Sequence, residues 1–99
     1  MAKQKYGPVQ QQKAAQKRRD RLAIINGIKE QTPCADCGQF FLGCQLDFDH
    51  VDPSTKELKI GPSLGSASIK RIMDEIAKCE IVCSNCHRLR TWLRANGIS

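Results

Sequence analysis

Two short stretches, Cys34-Ala35-Asp36-Cys37 and Cys83-Ser84-Asn85-Cys86, decide how this 99-residue chain is organised. Each places two thiols two residues apart, so that both sulfurs can face one ion from a tight loop, here called a knuckle. Two knuckles together supply the four thiolates of a tetrahedral zinc site. We therefore predict a structural zinc bound by Cys34, Cys37, Cys83 and Cys86, which closes the 45 intervening residues into one unit.

Two other uses of these cysteines are a disulfide framework and a redox-active Cys-x-x-Cys pair. The chain begins without the apolar stretch of about 7–15 residues that a signal peptide needs, so we expect a reducing location. That location is the cytoplasm, or the host-cell cytoplasm if the protein is viral. Two matched pairs favour a metal over redox chemistry. Cys44 lacks a knuckle partner and Cys79 lies in an apolar stretch that is typical of a buried side chain, so we leave both out of the site.

The positive charge of the chain lies at one end. Lys and Arg number 16 against 10 acids, a net charge of +6, and residues 1–30 alone hold eight bases and two acids. We divide the chain into a basic arm, 1–30, and a body, 31–99. The arm is either a solubilising tail or a segment that binds the phosphate backbone of DNA. The basic residues predicted to contact DNA there are Lys17, Arg18, Arg19 and Arg21. No apolar run approaches the roughly 20 residues of a membrane span, so we expect no membrane partner.

The pattern of apolar residues predicts a small, zinc-stabilised α+β fold with an N-terminal basic helix. Residues 1–7 are expected to be disordered. The predicted helices cover about Val9–Asn26, about Ala67–Lys78, and the segment from the second knuckle to about Ala95. The predicted short strands are Gln39–Leu42, Leu46–Val51, Leu58–Ile60 and Ile81–Val82.

Helical periodicity also predicts which faces are buried. In the second helix, the core face comprises Ile69, Ile72, Met73 and Ile76. In the last helix, we expect Leu89, Trp92 and Leu93 to pack inward. The opposite face would then present His87, Arg90, Thr91 and Arg94 outward, where arginines could meet phosphates.

A second group of polar residues accompanies the knuckles: Asp49, His50 and His87. A carboxylate and an imidazole, Asp49 and His87, form a sparse ligand set that suits magnesium, manganese or another divalent cation in phosphodiester chemistry. A neutral His50 can take a proton from water near pH 7. Because neighbouring strand residues point to opposite faces, Asp49 and His50 either need a bend between them or flank a phosphate from different sides.

The order of these residues resembles the HNH endonuclease family, which has the ββα-metal (His-Me finger) fold. The matching positions run from Cys34-x-x-Cys37 through Leu46–Pro53 to Glu75–Arg88 and Arg90-Thr91, covering roughly residues 33–94. The likeness is strongest to small phage-type HNH proteins with a structural zinc. The family's central Asn has no obvious counterpart in this sequence.

The resemblance implies a metal-dependent DNA endonuclease. His50 would activate water, Asp49 and His87 would hold the catalytic cation, and the four cysteines would hold zinc. Arg88, Arg90 and Arg94 would neutralise DNA phosphates. Phage packaging or recombination proteins are the further partners that the family suggests. The competing interpretation is a non-catalytic, zinc-stapled module that binds DNA or protein and has no use for Asp49, His50 and His87 together.

Overall fold

The computed structural model describes residues 9–98, with side chains from Lys13 onward, so the disorder expected for residues 1–7 lies outside the described part. The chain opens with helix α1, Val9–Glu30, which extends four residues beyond its predicted end. It continues through Gly27 because its last turns pack on the body, where Ile25 is only 2% exposed. The end of α1 coincides with the predicted limit of the basic arm.

The centre of the fold is an antiparallel pair of strands, β1 (Leu46–His50) and β2 (Cys79–Cys83). The register pairs Leu46 with Cys83 at one end and His50 with Cys79 at the other. The alternation of apolar and acidic residues in β1 predicted this strand. Both predicted strands at these positions are present, and β2 is longer than the two residues expected for it.

Three more helices complete a small α+β fold, as the sequence predicted. They are α2 (Ile60–Ser63), α3 (Ile69–Ile76) and α4 (Ser84–Ala95). The Ser68 hydroxyl caps α3 by accepting a hydrogen bond from the backbone N–H of Arg71. Helix α4 follows β2 without a loop, and the Cys83 sulfur caps it in the same way. None of the helices in the described part of the chain has the length and apolar character needed to span a membrane.

Two predicted strands are wrong. Residues 39–42 are irregular because Gln39 closes the first knuckle, its carbonyl accepting a hydrogen bond from the Cys34 N–H at 2.9 Å. Phe40 and Leu42 remain more than 60% exposed. The segment predicted as the strand Leu58–Ile60 instead leads into α2, which begins at Ile60. Both predictions were based on short apolar runs, and neither run pairs with a strand in the part of the chain that the structure describes.

The predicted orientation of α4 is also wrong. Leu89 and Trp92 are each 55% exposed, whereas Arg90 and His87 face the sheet. Burying the polar face is favourable here because β1 and β2 present carboxylates to it, and charged groups tolerate burial when they are paired. The core face predicted for α3 holds for Ile72, which is fully buried, while Ile69 and Met73 are 39% exposed.

The buried apolar residues form two clusters that meet opposite ends of the strand pair. The first, here called the helical cluster, contains Ile25, Ile60, Leu64, Ala67 and Ile72, with Phe48 and Cys79 packed against it. The second, here called the knuckle cluster, contains Cys34, Leu46, Val82 and Cys83. The strand pair therefore connects a core built by helices to a core built around the knuckles.

Candidate functional site

The two knuckles meet in space. One ligand atom from each of Cys34, Cys37, Cys83 and Cys86 lies within 4.8 Å of the other three. Sulfurs around a tetrahedral zinc with bonds of about 2.3 Å are about 3.8 Å apart, so the cluster fits this ion. Gly38, with a φ of +74°, turns the chain at the end of the first knuckle. These four cysteines can therefore hold a metal such as zinc, as predicted.

Backbone donors favour the thiolate form of one of these four cysteines, Cys34. Burial raises the pKa of Cys34, but N–H groups of Cys37, Cys83 and Asp36 outweigh it and lower the value to about 6. The neighbouring Cys83 sulfur, with burial, raises the pKa of Cys86 to about 12. Four thiolates this close repel one another, and a cation at their centre removes that repulsion.

Asp49 lies at the contact between β1 and α4 and is 6% exposed. Arg94 donates to both of its oxygens, at 3.0 and 2.8 Å, and Arg90 donates to Oδ2 at 2.7 Å. The Arg94 hydrogen bonds, with those of Arg90, outweigh burial and lower the pKa of Asp49 to about 2. His87 is also brought to this carboxylate, with Nε2 3.5 Å from Oδ1. The structure thus brings together the two residues predicted to bind the catalytic cation.

Arg90 joins the first knuckle to both strands. Its guanidinium donates twice to Asp36 at 2.7 Å and once to Asp49, and it lies 2.8 Å from Glu80. Three carboxylates around one guanidinium that is 18% exposed make a fixed, bidentate arrangement. This guanidinium is therefore engaged in holding the fold, and its predicted contact with DNA phosphates would require it to leave these partners.

His50 points away from Asp49, toward α3. Its Nε2 lies 2.6 Å from Oε2 of Glu75, and its side chain is 11% exposed. The strand does not bend to bring Asp49 and His50 to one face, and each has its own partners. Of the two arrangements considered from the sequence, the structure has the one in which these residues face different sides.

One pocket nevertheless reaches both histidines. It has a volume of about 410 Å³ and is lined by His50, His87 and Asp47 together with three lysines, Lys29, Lys56 and Lys59. Burial lowers the pKa of Lys29 below its ordinary value, and the nearby Asp47 carboxylate offsets only part of this shift. A second pocket of about 320 Å³ shares His87 and Asp47 and extends to Arg88. The two pockets adjoin at His87, and their lining carries more positive than negative side chains.

Asp47 is the carboxylate that the sequence prediction missed at this pocket. Its Oδ2 lies 3.0 Å from Nδ1 of His87, so His87 has an aspartate near each ring nitrogen. The signal was present in the sequence, because Asp47 and Asp49 are two residues apart on one strand and therefore share a face. Glu75 was also missed, although it follows Ile72 by three residues and shares its buried side of α3.

A divalent cation at Asp49 and His87 is compatible with their spacing. Ligands at right angles in an octahedral site with bonds of about 2.1 Å are about 3 Å apart, close to the 3.5 Å observed. Binding at Oδ1 would require Arg94 to give up one of its contacts. Within the part of the chain that the structure describes, only the four cysteines form a group of three or more ligands close enough to share an ion.

The residues predicted to bind nucleic acid fall into two sets. Arg18 and Arg21 in α1 donate to backbone carbonyls around α2: Arg18 to Gly61 at 2.8 Å, and Arg21 to Leu64 and Ala67. Arg90 and Arg94 bind carboxylates, as described above. The other three, Lys17, Arg19 and Arg88, are exposed, and none of them makes a long-range hydrogen bond or ion pair to another residue that the structure describes.

Comparison with known proteins identifies no relative: no protein-family model, curated protein or solved structure matches this chain.

Proposed function

We propose that this protein is a metal-dependent DNA endonuclease with a ββα-metal core, formed by β1, β2 and α4 around the four-cysteine zinc site. The observation that carries the proposal is the pocket lined by both His50 and His87. These are the only histidines in the chain, and they come from different elements 37 residues apart. A purely structural zinc module has no evident need to bring them to one cleft.

The charges around the pocket fit a phosphodiester substrate. Lys29, Lys56 and Lys59 line it beside the histidines, and Arg88 lies in the adjoining pocket. Positive groups around a concave site attract the DNA backbone without reading its sequence. They also oppose the repulsion that Asp47 would exert on a phosphate. Lys17 and Arg19, exposed on α1, add positive charge outside the pocket.

In this proposal His50 acts as the general base and removes a proton from the attacking water. Asp49 and His87 hold a magnesium, manganese or similar divalent cation, and the four cysteines hold zinc. A bound divalent cation would supply positive charge against the phosphate and leaving oxygens. The lysines of the pocket neutralise the remaining phosphate charge. The zinc site positions His87, since Cys86 precedes it directly at the start of α4.

One observation favours the competing function, a non-catalytic module that binds DNA or protein. Both oxygens of Asp49 are already bound by arginines. If these contacts persist on DNA, Asp49 serves only to hold α4 on the sheet. The two functions differ in whether the protein breaks phosphodiester bonds.

A plasmid-nicking assay on the zinc-loaded protein decides between them. We expect supercoiled DNA to be nicked with added Mg²⁺, Mn²⁺ or Ni²⁺, and not when a chelator removes the added cation while zinc content stays unchanged. His50→Ala should lower the nicking rate by about 100-fold or more, since a positioned base contributes about 10²- to 10⁴-fold.

The matched control is Val51→Ala, which changes the next residue in sequence, 64% exposed. It should nick at the wild-type rate. Nicking by His50→Ala at that same rate would remove His50 as the base, and no nicking by the wild-type protein with any cation would favour the binding module.

A further inference from the structure

Glu75 is a carboxylate that is ionised although it is buried. It lies on α3, 2% exposed, three residues after the fully buried Ile72. Burial raises the pKa of Glu75, but hydrogen bonds from His50, Lys78 and the Glu57 backbone outweigh it and hold the value at about 2. A buried ion pair is weak evidence for stability, because well-packed apolar residues often serve as well. We therefore look for the role of this carboxylate in the groups that it contacts.

Both oxygens of Glu75 are occupied by donors. Oε1 accepts from Nζ of Lys78 at 3.0 Å, and Oε2 accepts from the Glu57 N–H at 3.1 Å and from Nε2 of His50 at 2.6 Å. An ionised carboxylate can only accept hydrogen bonds, so Nε2 of His50 must carry the proton. In the neutral ring, the lone pair then belongs to Nδ1. Glu75 therefore fixes which nitrogen of His50 can take a proton from water.

Glu75 also holds, by hydrogen bonds, the segment of chain that follows β1. The Glu57 N–H binds its Oε2, and Lys78 bridges Oε1 to the Thr55 carbonyl at 2.8 Å. The segment between His50 and α2, which carries the pocket residues Lys56 and Lys59, is thus fastened to the same carboxylate that holds the His50 ring. One side chain sets both the imidazole and the segment beside it.

We propose that Glu75 is the positioning residue for His50, holding its imidazole by Nε2 with Nδ1 available to the attacking water. This inference depends on the proposed endonuclease function and adds a His–Glu pair to it. Glu75 lies on α3, between β1 and β2 in the chain.

The test compares steady-state nicking by Glu75→Gln with three other proteins: wild type, His50→Ala, and the double variant. Glutamine keeps the shape of the side chain, but donors face both of its oxygens, so its NH₂ group must oppose either Lys78 or the His50–Glu57 side. We expect kcat to fall about 10- to 100-fold with KM nearly unchanged, a part of the roughly 10²- to 10⁴-fold that a positioned base contributes.

The double variant separates positioning from a structural role. If Glu75 acts through His50, adding Glu75→Gln to His50→Ala costs nothing further, because the group being positioned is gone. Residual rates are measured on a phosphodiester with a nitrophenolate leaving group, whose easier cleavage keeps weak activity above background. If the rate loss of the double variant equals the product of the two single-variant losses, the two residues act independently and the inference is overturned.

Two further variants complete the design. Asp74→Asn alters the adjacent acid of α3, whose side chain is 61% exposed and pairs with Lys70, and should leave kcat unchanged. Lys78→Met removes the other side-chain partner of Glu75 but keeps the His50 contact, so it should retain most of kcat. If Lys78→Met loses as much as Glu75→Gln, the carboxylate serves the loop and not the imidazole.

The outcomes also distinguish this inference from the proposed function. A wild-type protein that nicks and an inactive His50→Ala, together with an active Glu75→Gln, would refute the positioning role alone. Wild-type activity in His50→Ala would refute the general base and the positioning role together. Zinc content and circular dichroism on every variant ensure that rates refer to folded protein.

Discussion

The helical cluster and the knuckle cluster stabilise the two ends of one strand pair by different means. The helical cluster gathers five buried residues from α1, α2, α3 and the chain between the last two. The knuckle cluster has four, and two of these are cysteines of the predicted zinc site. A few aliphatic side chains in a chain of 99 residues make a thin core. We therefore expect the fold to depend on a metal at the four cysteines more than on either apolar cluster alone.

The two ends also differ in what they offer a substrate. At the knuckle end, carboxylates and arginines are matched to one another, as around Arg90. At the helical end, His50 is held by Glu75 and lines a pocket together with three lysines, of which Lys29 also approaches the Gly43 carbonyl and the Phe48 ring. In the proposed function, the knuckle end would support the site and the helical end would supply the general base.

Loss of zinc should have the largest effect. Cys37→Ser removes one ligand whose side chain is exposed, so little packing is lost with it. Structural zinc contributes about 10–16 kcal/mol in small zinc domains, as much as the whole stability of a typical domain. We expect the entire chain to unfold, with collapse of amide and Ile72 methyl dispersion in NMR spectra.

Cys44→Ser is the matched control, because Cys44 is also an exposed cysteine but lies outside the site. It should keep the wild-type spectrum and zinc content. Native dispersion of Ile72 in the Cys37→Ser protein would mean that the helical cluster folds without the metal, which contradicts the dependence inferred above.

Truncation in the helical cluster should have the next largest effect. Ile72→Ala removes a fully buried side chain, and such truncations cost about 2–5 kcal/mol. Met73→Ala, at a neighbouring position that is 39% exposed, should cost about 1 kcal/mol or less. Denaturant midpoints of the zinc-loaded proteins measure both. Equal losses would show that the helical cluster is not packed as described.

Acid should lower the stability of the helical end by protonating Glu75. This effect should be smaller than the effects of zinc loss and of the Ile72 truncation. The pKa of Glu75 is lowered from 4.5 to about 2 in the folded chain. A lowered pKa gives stability that is fully present above pH 4.5 and is lost as pH falls toward 2. We expect the wild-type protein to have a higher denaturant midpoint than Glu75→Gln near neutral pH. The difference between the two midpoints should become smaller as pH falls below 4.5.

Because loss of zinc is expected to unfold the chain, the midpoints are compared only at pH values at which both proteins keep their zinc. Asp74→Asn, which changes an exposed acid, should follow the wild-type protein at every pH. An advantage over Glu75→Gln that stays constant as pH falls from 6 to the lowest of these values would show that the carboxylate is not held by His50 and Lys78.

The sequence predicted the elements that depend on local spacing. Two Cys-x-x-Cys pairs were enough to predict the four-cysteine site, and alternation in Leu46–His50 was enough to predict β1. Short local patterns were misleading: Gln39–Leu42 is apolar enough for a strand, but among residues 9–98 the only sheet is the β1–β2 pair, and this segment is not part of it. The approach of Asp49 to His87 was anticipated from the order of motifs, whereas the arginines bound to Asp49 were not.

What the sequence determined by itself was the group of four cysteines, the β1–β2 strands with the three longer helices, and the placing of positive charge in the first 30 residues. Only the tertiary structure decided that α4 turns its polar face inward, that Arg90 holds Asp36 and Asp49, and that His50 meets Glu75. The physical reason is the range of the interactions. Knuckles and strand alternation are set by neighbours in sequence, while charge pairing joins residues 25 to 54 positions apart and overrides the apolar pattern of a helix.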